Sequence, residues 1–274
     1  MTLKETVLLF SNLAEAKSVS VKTNPLAFLV LAMKAGAYVG VGILLIFSVG
    51  QGVDASIRPL VMGASFGIAL TLVVFAGAEL FTGHTMYMTI GWLTRQVRLP
   101  DLFRCWGMSW VGNLAGAGLL ALLFIMGGGG LVVGHSDPAL LHAVAAKKMN
   151  APALELIARA ILCNWLVCLA LWCSSRSSND VFKCIIIFWC LYAFIAAGFE
   201  HSVANMTVFS VALLSDHPET ITLAGAIRNL AYVTLGNALS GSVIMGLGYW
   251  LSAAKPVVDK QQSVSVPGET PIRS

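Results

Sequence analysis

The stretch Ala76-Gly77-Ala78-Glu79-Leu80 recurs as Ala197-Gly198-Phe199-Glu200-His201, with an offset of 198 − 77 = 121 residues. Each copy lies inside a long apolar run, over residues 60–90 and 181–214. A membrane helix needs about 20 apolar residues to cross about 30 Å of hydrocarbon, so both runs are too long for one straight span. Glycine and a carboxylate at mid-membrane interrupt a helix. They are tolerated there when the backbone lines a cavity and not lipid. The two runs are therefore expected to form discontinuous helices that meet near the midplane. Their broken ends would expose N–H groups that attract anions.

Working outward, a second motif recurs at nearly the same spacing. Gly112-Asn113-Leu114-Ala115-Gly116 answers Gly236-Asn237-Ala238-Leu239-Ser240-Gly241, and 237 − 113 = 124. Four further apolar runs cover 26–49, 102–126, 154–173 and 223–251. Three runs per half is an odd number, so the halves must insert in opposite senses, the inverted-repeat plan of channels and transporters. The expected fold is an all-α integral membrane protein of six transmembrane helices in two inverted three-helix repeats, with spans 2 and 5 broken at mid-membrane. Small-residue spacing at Gly112 and Gly116, and at Gly236, Ser240 and Gly241, reads as helix packing.

Composition agrees. Of 274 residues, 57% are hydrophobic and 11% charged, against about 25% charged in soluble domains, and mean hydropathy is +0.82. That excludes an ordinary soluble enzyme and a disordered chain. A net charge of +4 is too small to argue for nucleic acid. Six cysteines, with no CxxC and no HExxH, suggest neither a disulfide scaffold nor a metal site, and no cofactor is expected.

Residues 1–25 read as an N-terminal amphipathic helix on the membrane, opened by a Thr2/Glu5 capping box. Residues 26–252 form the channel domain. Residues 253–274, with Pro256, Pro267 and Pro271, read as a disordered tail. Basic residues favour the side holding Lys4, Lys17, Lys22, Arg95, Arg98, Arg104, Arg176, Lys183, Lys255, Lys260 and Arg273 over the side holding Arg58, Lys147, Lys148 and Arg228. Both termini are therefore expected in the cytoplasm. Tryptophans at 92, 106, 172, 189 and 250 fall near span ends, as interfacial anchors do.

Three segments resemble signatures of the formate/nitrite transporter family. They are Phe75 to Gly83, Ala160 to Ala170 around Asn164, and Gly198 to Met206 around His201. Thr82-Gly83-His84-Thr85-Met86 is most similar to the bacterial nitrite channel branch. The resemblance implies an aquaporin-like protomer with its own pore, a homopentamer, and nitrite carried across the bacterial inner membrane. Formate or hydrosulfide is the alternative substrate. It also implies that Thr82 and His201 face the anion with Asn164 nearby. Span 2 would break at a loop carrying Leu80, Phe81 and Thr82. Phe66, Leu70, Leu80 and Phe194 would narrow the pore, and Lys148 would line the outer vestibule.

The residues themselves weigh on this reading. A histidine inside a membrane is by default functional, and His201 follows a carboxylate at a break, where it can give a hydrogen bond or a proton to a passing anion. Glu79 and Glu200, with Gly77 and Gly198, are expected to support the breaks by capping free N–H groups, since a permanent negative charge would repel an anion. His84, after the other break, either flanks the passage or hydrogen-bonds its own loop, and Arg159 is expected to pair with Glu155 four residues away. A water or glycerol channel would carry paired Asn-Pro-Ala boxes, and this chain has none. Catalysis would need a clustered acid, base and nucleophile, and no such cluster is visible, so the chain is not expected to be an enzyme.

Overall fold

A computed structural model describes residues 1–133 and 139–253. The tail expected to be disordered lies almost wholly outside the described residues. Among the described residues every regular element is helical. In order come α1 (Leu3–Thr23), α2 (Pro25–Gln51), α3 (Arg58–Ser65), α4 (Ile68–Phe75), α5 (Phe81–Leu93), α6 (Leu99–Met126) and α7 (Gly130–Val133). Then follow α8 (Leu140–Asn150), α9 (Ala153–Ser175), α10 (Asp180–Ala196), α11 (Ser202–Leu214), α12 (Leu223–Leu239), a π-helical stretch (Ser240–Leu247) and α13 (Gly248–Ser252).

Among the described residues, five helical segments are long and apolar enough to cross a membrane: Pro25–Gln51, Arg58–Phe75, Leu99–Met126, Ala153–Ser175 and Leu223–Ser252. The run over 181–214 is not one of them, because it is divided into α10, of 17 residues, and α11, of 13. The run over 60–90 is likewise divided, into α3, α4 and α5.

The divisions have a local cause. Gly77 (φ +68°) and Gly198 (φ +71°) take the left-handed conformation that ends a helix. In both, the N–H of the residue after the glycine returns to a carbonyl five residues back, Ala78 to Val73 and Phe199 to Phe194, each at 3.0 Å. This is the Schellman closure. The chain then runs non-helical for three residues and re-enters a helix at Phe81 and at Ser202.

α1 is the expected amphipathic helix, and its apolar face packs on the protein. The capping box forms, with Glu5 N–H on Thr2 Oγ1 at 3.2 Å and Thr2 N–H on Glu5 Oε2 at 2.8 Å. On the apolar face, Val7, Phe10 and Ala14 are at most 1% exposed. Polar bonds fasten the helix along its length. Ser11 meets Thr94 at 2.6 Å, Lys17 meets Glu79 at 2.6 Å, Lys22 meets Asp101 at 2.7 Å, and Glu15 accepts from Gln96. Phe10 stacks between Tyr87 (4.9 Å) and Trp172 (5.4 Å), and Trp172 stacks on Tyr249 (3.8 Å). Most of the apolar face is thus taken up by protein, while Leu3 and Val19 remain exposed.

Small residues let two helix pairs touch backbone to backbone. A Cβ on Gly116 would collide with the backbone of Met33, which brings α6 onto α2. Gly236 plays the same part between α12 and α9, against Ala160 and Ile157. The π-helical stretch begins beside Thr85 and Asn164, where a Cβ on Gly241 would strike both. Such widened turns are common next to functional sites.

Candidate functional site

The two breaks are built by the same set of bonds. Asn113 Oδ1 accepts from Phe81 N–H (2.9 Å), while its Nδ2 donates to the carbonyls of Ala32 (2.8 Å) and Glu79 (2.9 Å). Asn237 Oδ1 accepts from Ser202 N–H (2.9 Å), and its Nδ2 donates to the carbonyls of Ala160 (2.8 Å) and Glu200 (3.1 Å). Glu79 N–H reaches Leu31 O at 3.2 Å, and Glu200 N–H reaches Arg159 O at 3.3 Å. Each loop is thus clamped between two helices by one fully buried amide.

This corrects the expected role of the glutamates. Neither carboxylate caps a helix N–H. Glu79 binds Lys17 Nζ (2.6 Å) and His84 Nε2 (2.8 Å). Glu200 binds Lys148 Nζ (2.8 Å) and Asn205 Nδ2 (2.6 Å). The chemistry explains the division of labour. Clamping a loop needs a donor and an acceptor on one side chain, which an amide has and a carboxylate lacks. The carboxylates instead neutralise a lysine at each break.

The two re-entry points meet. Thr82, one residue into α5, places Oγ1 at 3.1 Å from Nε2 of His201, which caps α11. His201 Nδ1 accepts from Ala204 N–H at 3.1 Å. An imidazole nitrogen that accepts carries no proton, so in the neutral ring the hydrogen sits on Nε2 and donates to Thr82. The hydroxyl hydrogen of Thr82 then has no acceptor among the described residues. Asn164 holds this arrangement from the side. Its Nδ2 donates to Asn237 O (2.7 Å), Thr85 Oγ1 (3.0 Å) and Thr82 O (3.3 Å), while its buried Oδ1 has no partner among the described residues.

Three cavities lie near this contact and share wall residues. The first, about 350 Å³, is lined by Lys147, Lys148, Arg159, Glu200, Phe194 and His201 among others. The second is a slit of about 10 Å³ walled by Phe66, Leu70, Leu80, Leu191, Phe194 and His201. The third, about 280 Å³, is lined by Lys17, Glu79, Leu80, His84, Tyr87 and Lys183 among others. Phe194 and His201 are shared by the first two, and Leu80 by the last two. The ring of Phe194 lies along that of His201 (5.9 Å, 18°), and Phe66 meets Phe194 edge-on at 5.4 Å.

The structure therefore places His201, Phe66, Leu70, Leu80, Phe194 and Lys148 on the walls of these cavities, whereas Thr82 and Asn164 line none of them and join the site through their hydrogen bonds. It does not bring the ring of Phe81 there. That ring packs edge-on against Trp106 at 6.3 Å, and only the Phe81 N–H takes part, in the clamp. Lys148 lies on α8 and not on a loop. His84 is a bracket: Nε2 on Glu79, Nδ1 beside Cys105 Sγ (3.5 Å), and its carbonyl taking Trp106 Nε1–H (3.1 Å). Arg159 pairs with Glu155 at 2.7 Å and also lines the first cavity. Among the described residues no three His, Cys, Asp or Glu side chains converge as a metal site would need.

Sequence reasoning missed Asn113, Asn237 and Lys17. The asparagines stood inside a recurring motif that was assigned to packing. Lys17 was counted only as a cytoplasmic charge, although it lies 148 − 17 = 131 residues before Lys148, close to the other repeat offsets.

The profile of the Formate/nitrite transporter family matches residues 5–251. The chain belongs to the formate/nitrite transporter family. Among its curated relatives is the Nitrite transporter NirC of Escherichia coli, 52% identical over 240 residues, which are 86% of this chain and 88% of that one. A solved FNT family ion channel superposes with a TM-score of 0.88 at 48% identity, covering 90% of this chain and 98% of its own. A pentameric formate channel with formate bound superposes at 0.69 with 25% identity, over 84% and 97%. The paired breaks and the Thr82–His201 contact are thus features of a transporter-family chain.

Proposed function

We propose that this formate/nitrite transporter family member is a nitrite channel of the bacterial inner membrane, and not an enzyme. In this reading it crosses the membrane six times in two inverted repeats. α3 to α5 make the second span and α10 to α11 the fifth, each broken at mid-membrane. Both termini are cytoplasmic, so the Lys17 cavity faces the cytoplasm and the Lys148 cavity faces outward. Five copies assemble, each with its own passage. The similarity to NirC and to a pentameric formate channel supports this. The observation that carries it is the Thr82–His201 contact between two lysine-bearing cavities.

The cations in each cavity raise the local anion concentration. The slit then forces the anion to shed water. Full transfer of a bare charge to an apolar medium costs tens of kcal/mol, whereas a hydrogen bond to a charged group contributes about 1.5–3 kcal/mol. Two donors cannot offset full desolvation. The slit is short, however, so the anion leaves one wet cavity only as it reaches the other. At the middle it takes the free O–H of Thr82 and the Nε2–H of His201. His201 serves as a hydrogen-bond donor, because protonation of Nδ1 would break its bond to Ala204 and loosen the first turn of α11. Any proton exchange with the anion is therefore coupled to that turn.

Formate or hydrosulfide as the main substrate is the second reading, favoured by the likeness to the formate channel. Stopped-flow uptake into proteoliposomes tests both. His201→Ala should lower nitrite flux at least tenfold and alter its pH dependence. Unchanged flux and pH profile would remove His201 from the mechanism. Competition between nitrite, formate and hydrosulfide in one preparation ranks the substrates.

A further inference from the structure

The two large cavities are lined by repeat-related residues, but the chemistry differs. The first presents Ala204, Asn205 and Val208; the third presents Gly83, His84 and Tyr87. Each pair is separated by the same 121 residues as the glycines that end α4 and α10. The cavity on the Lys17 side therefore holds a phenol where its counterpart holds a valine.

Stacking does not account for that phenol. The Tyr87 ring lies against Phe10 at 4.9 Å and 21°, and a phenylalanine would stack equally well. The hydroxyl has no hydrogen-bond partner among the described residues. A helical side chain leans toward the N-terminus of its helix, and Tyr87 leans back over the start of α5. Its oxygen lies 3.5 Å from where a Cβ on Gly83 would stand, next to Thr82. A Cβ there would stand in ordinary contact with the phenol and would crowd Leu171 Cδ1, at 2.9 Å, instead.

We propose that Tyr87 forms a second anion station, on the cytoplasmic approach to Thr82 and His201, for a small monovalent oxyanion. This rests on the channel reading given above. The phenolic O–H donates one hydrogen bond. Lys17 supplies further N–H donors, because its ammonium has three and Glu79, which balances its charge, takes one. His84 does not take part, since both ring nitrogens are engaged. The Lys148 cavity has cations but no hydroxyl at the matching place, so the station belongs to one face only.

The test is Tyr87→Phe, which removes one oxygen and keeps the stacked ring. Nitrite flux is measured in right-side-out and in inverted vesicles containing the full chain. The half-saturating nitrite concentration should rise about three- to tenfold when nitrite is presented at the Lys17 face, and stay within twofold at the other. An unchanged value at the Lys17 face overturns the proposal. So does an equal shift at both faces, which would mean a general structural effect. If the unaltered protein passes no nitrite, the channel reading fails instead, and the two failures are told apart.

Discussion

Asn113 and Asn237 carry the breaks at the level of single residues. Each satisfies one N–H and two carbonyls in a buried setting. Leaving one buried donor unsatisfied costs about 1–3 kcal/mol. Asn113→Ala and Asn237→Ala should each lower the melting temperature of the detergent-solubilised protein. Asn113→Asp should be at least as damaging, because a carboxylate cannot donate to Glu79 O and Ala32 O. An aspartate variant that melts like the unaltered protein would show that the donated bonds contribute nothing. The glycines and glutamates of the breaks were legible in the sequence because two such residues inside long apolar runs are conspicuous. The asparagines were equally visible but were given no role of their own. An Asn near small residues in a span fits packing and clamping alike, and only coordinates show which carbonyls it reaches.

At the level of elements, α8 brings Lys147 and Lys148 to the first cavity, and its docking includes a buried histidine. His142, 5% exposed, meets Ser215 Oγ at 2.8 Å. That hydroxyl already donates to Val211 O and Ala212 O, so His142 Nε2–H is the donor. Burial first, and then the nearby His217, hold the imidazole below its ordinary range, while Asp216 pulls the other way. A depressed histidine makes its full contribution above its ordinary pKa. The contribution begins to fall as the pH drops below that value, and it is lost once the pH passes the lowered one. Thermal stability should therefore decline on mild acidification, and His142→Gln should flatten that part of the pH–stability curve. An unaltered slope would mean that α8 docking does not depend on His142. α1 was legible in part. Its periodic apolar face was plain, but whether lipid or protein covers such a face depends on partners eighty or more residues away, such as Thr94 and Trp172.

The whole molecule is one protein-packed body with many apolar side chains left outward. Leu119, Leu122 and Leu123 on α6, and Leu223, Ile227 and Leu235 on α12, are all more than 40% exposed. Lipid or a neighbouring copy must cover them. Native mass spectrometry in mild detergent should give a mass of five chains of 29.0 kDa each. A monomer at all detergent concentrations would count against the pentamer. The family and a set of apolar helices were readable from signature and spacing, because membrane burial forces helices and makes every polar residue in an apolar run an exception. The arrangement of the cavities and the difference between the two vestibules were not readable, since they depend on which side chains converge from separate helices.

The clamps also imply an order of assembly. Every bond that shapes the first break, including the ion pair with Lys17, lies within residues 17–113. Every bond that shapes the second lies within residues 148–237. Each break can be completed from its own stretch of chain, the first before the second has been synthesised. The bonds of Thr82 with His201 and Asn164 are of another kind, because they join one stretch to the other. A nascent chain can therefore set two rigid turns independently. The passage exists only when they meet.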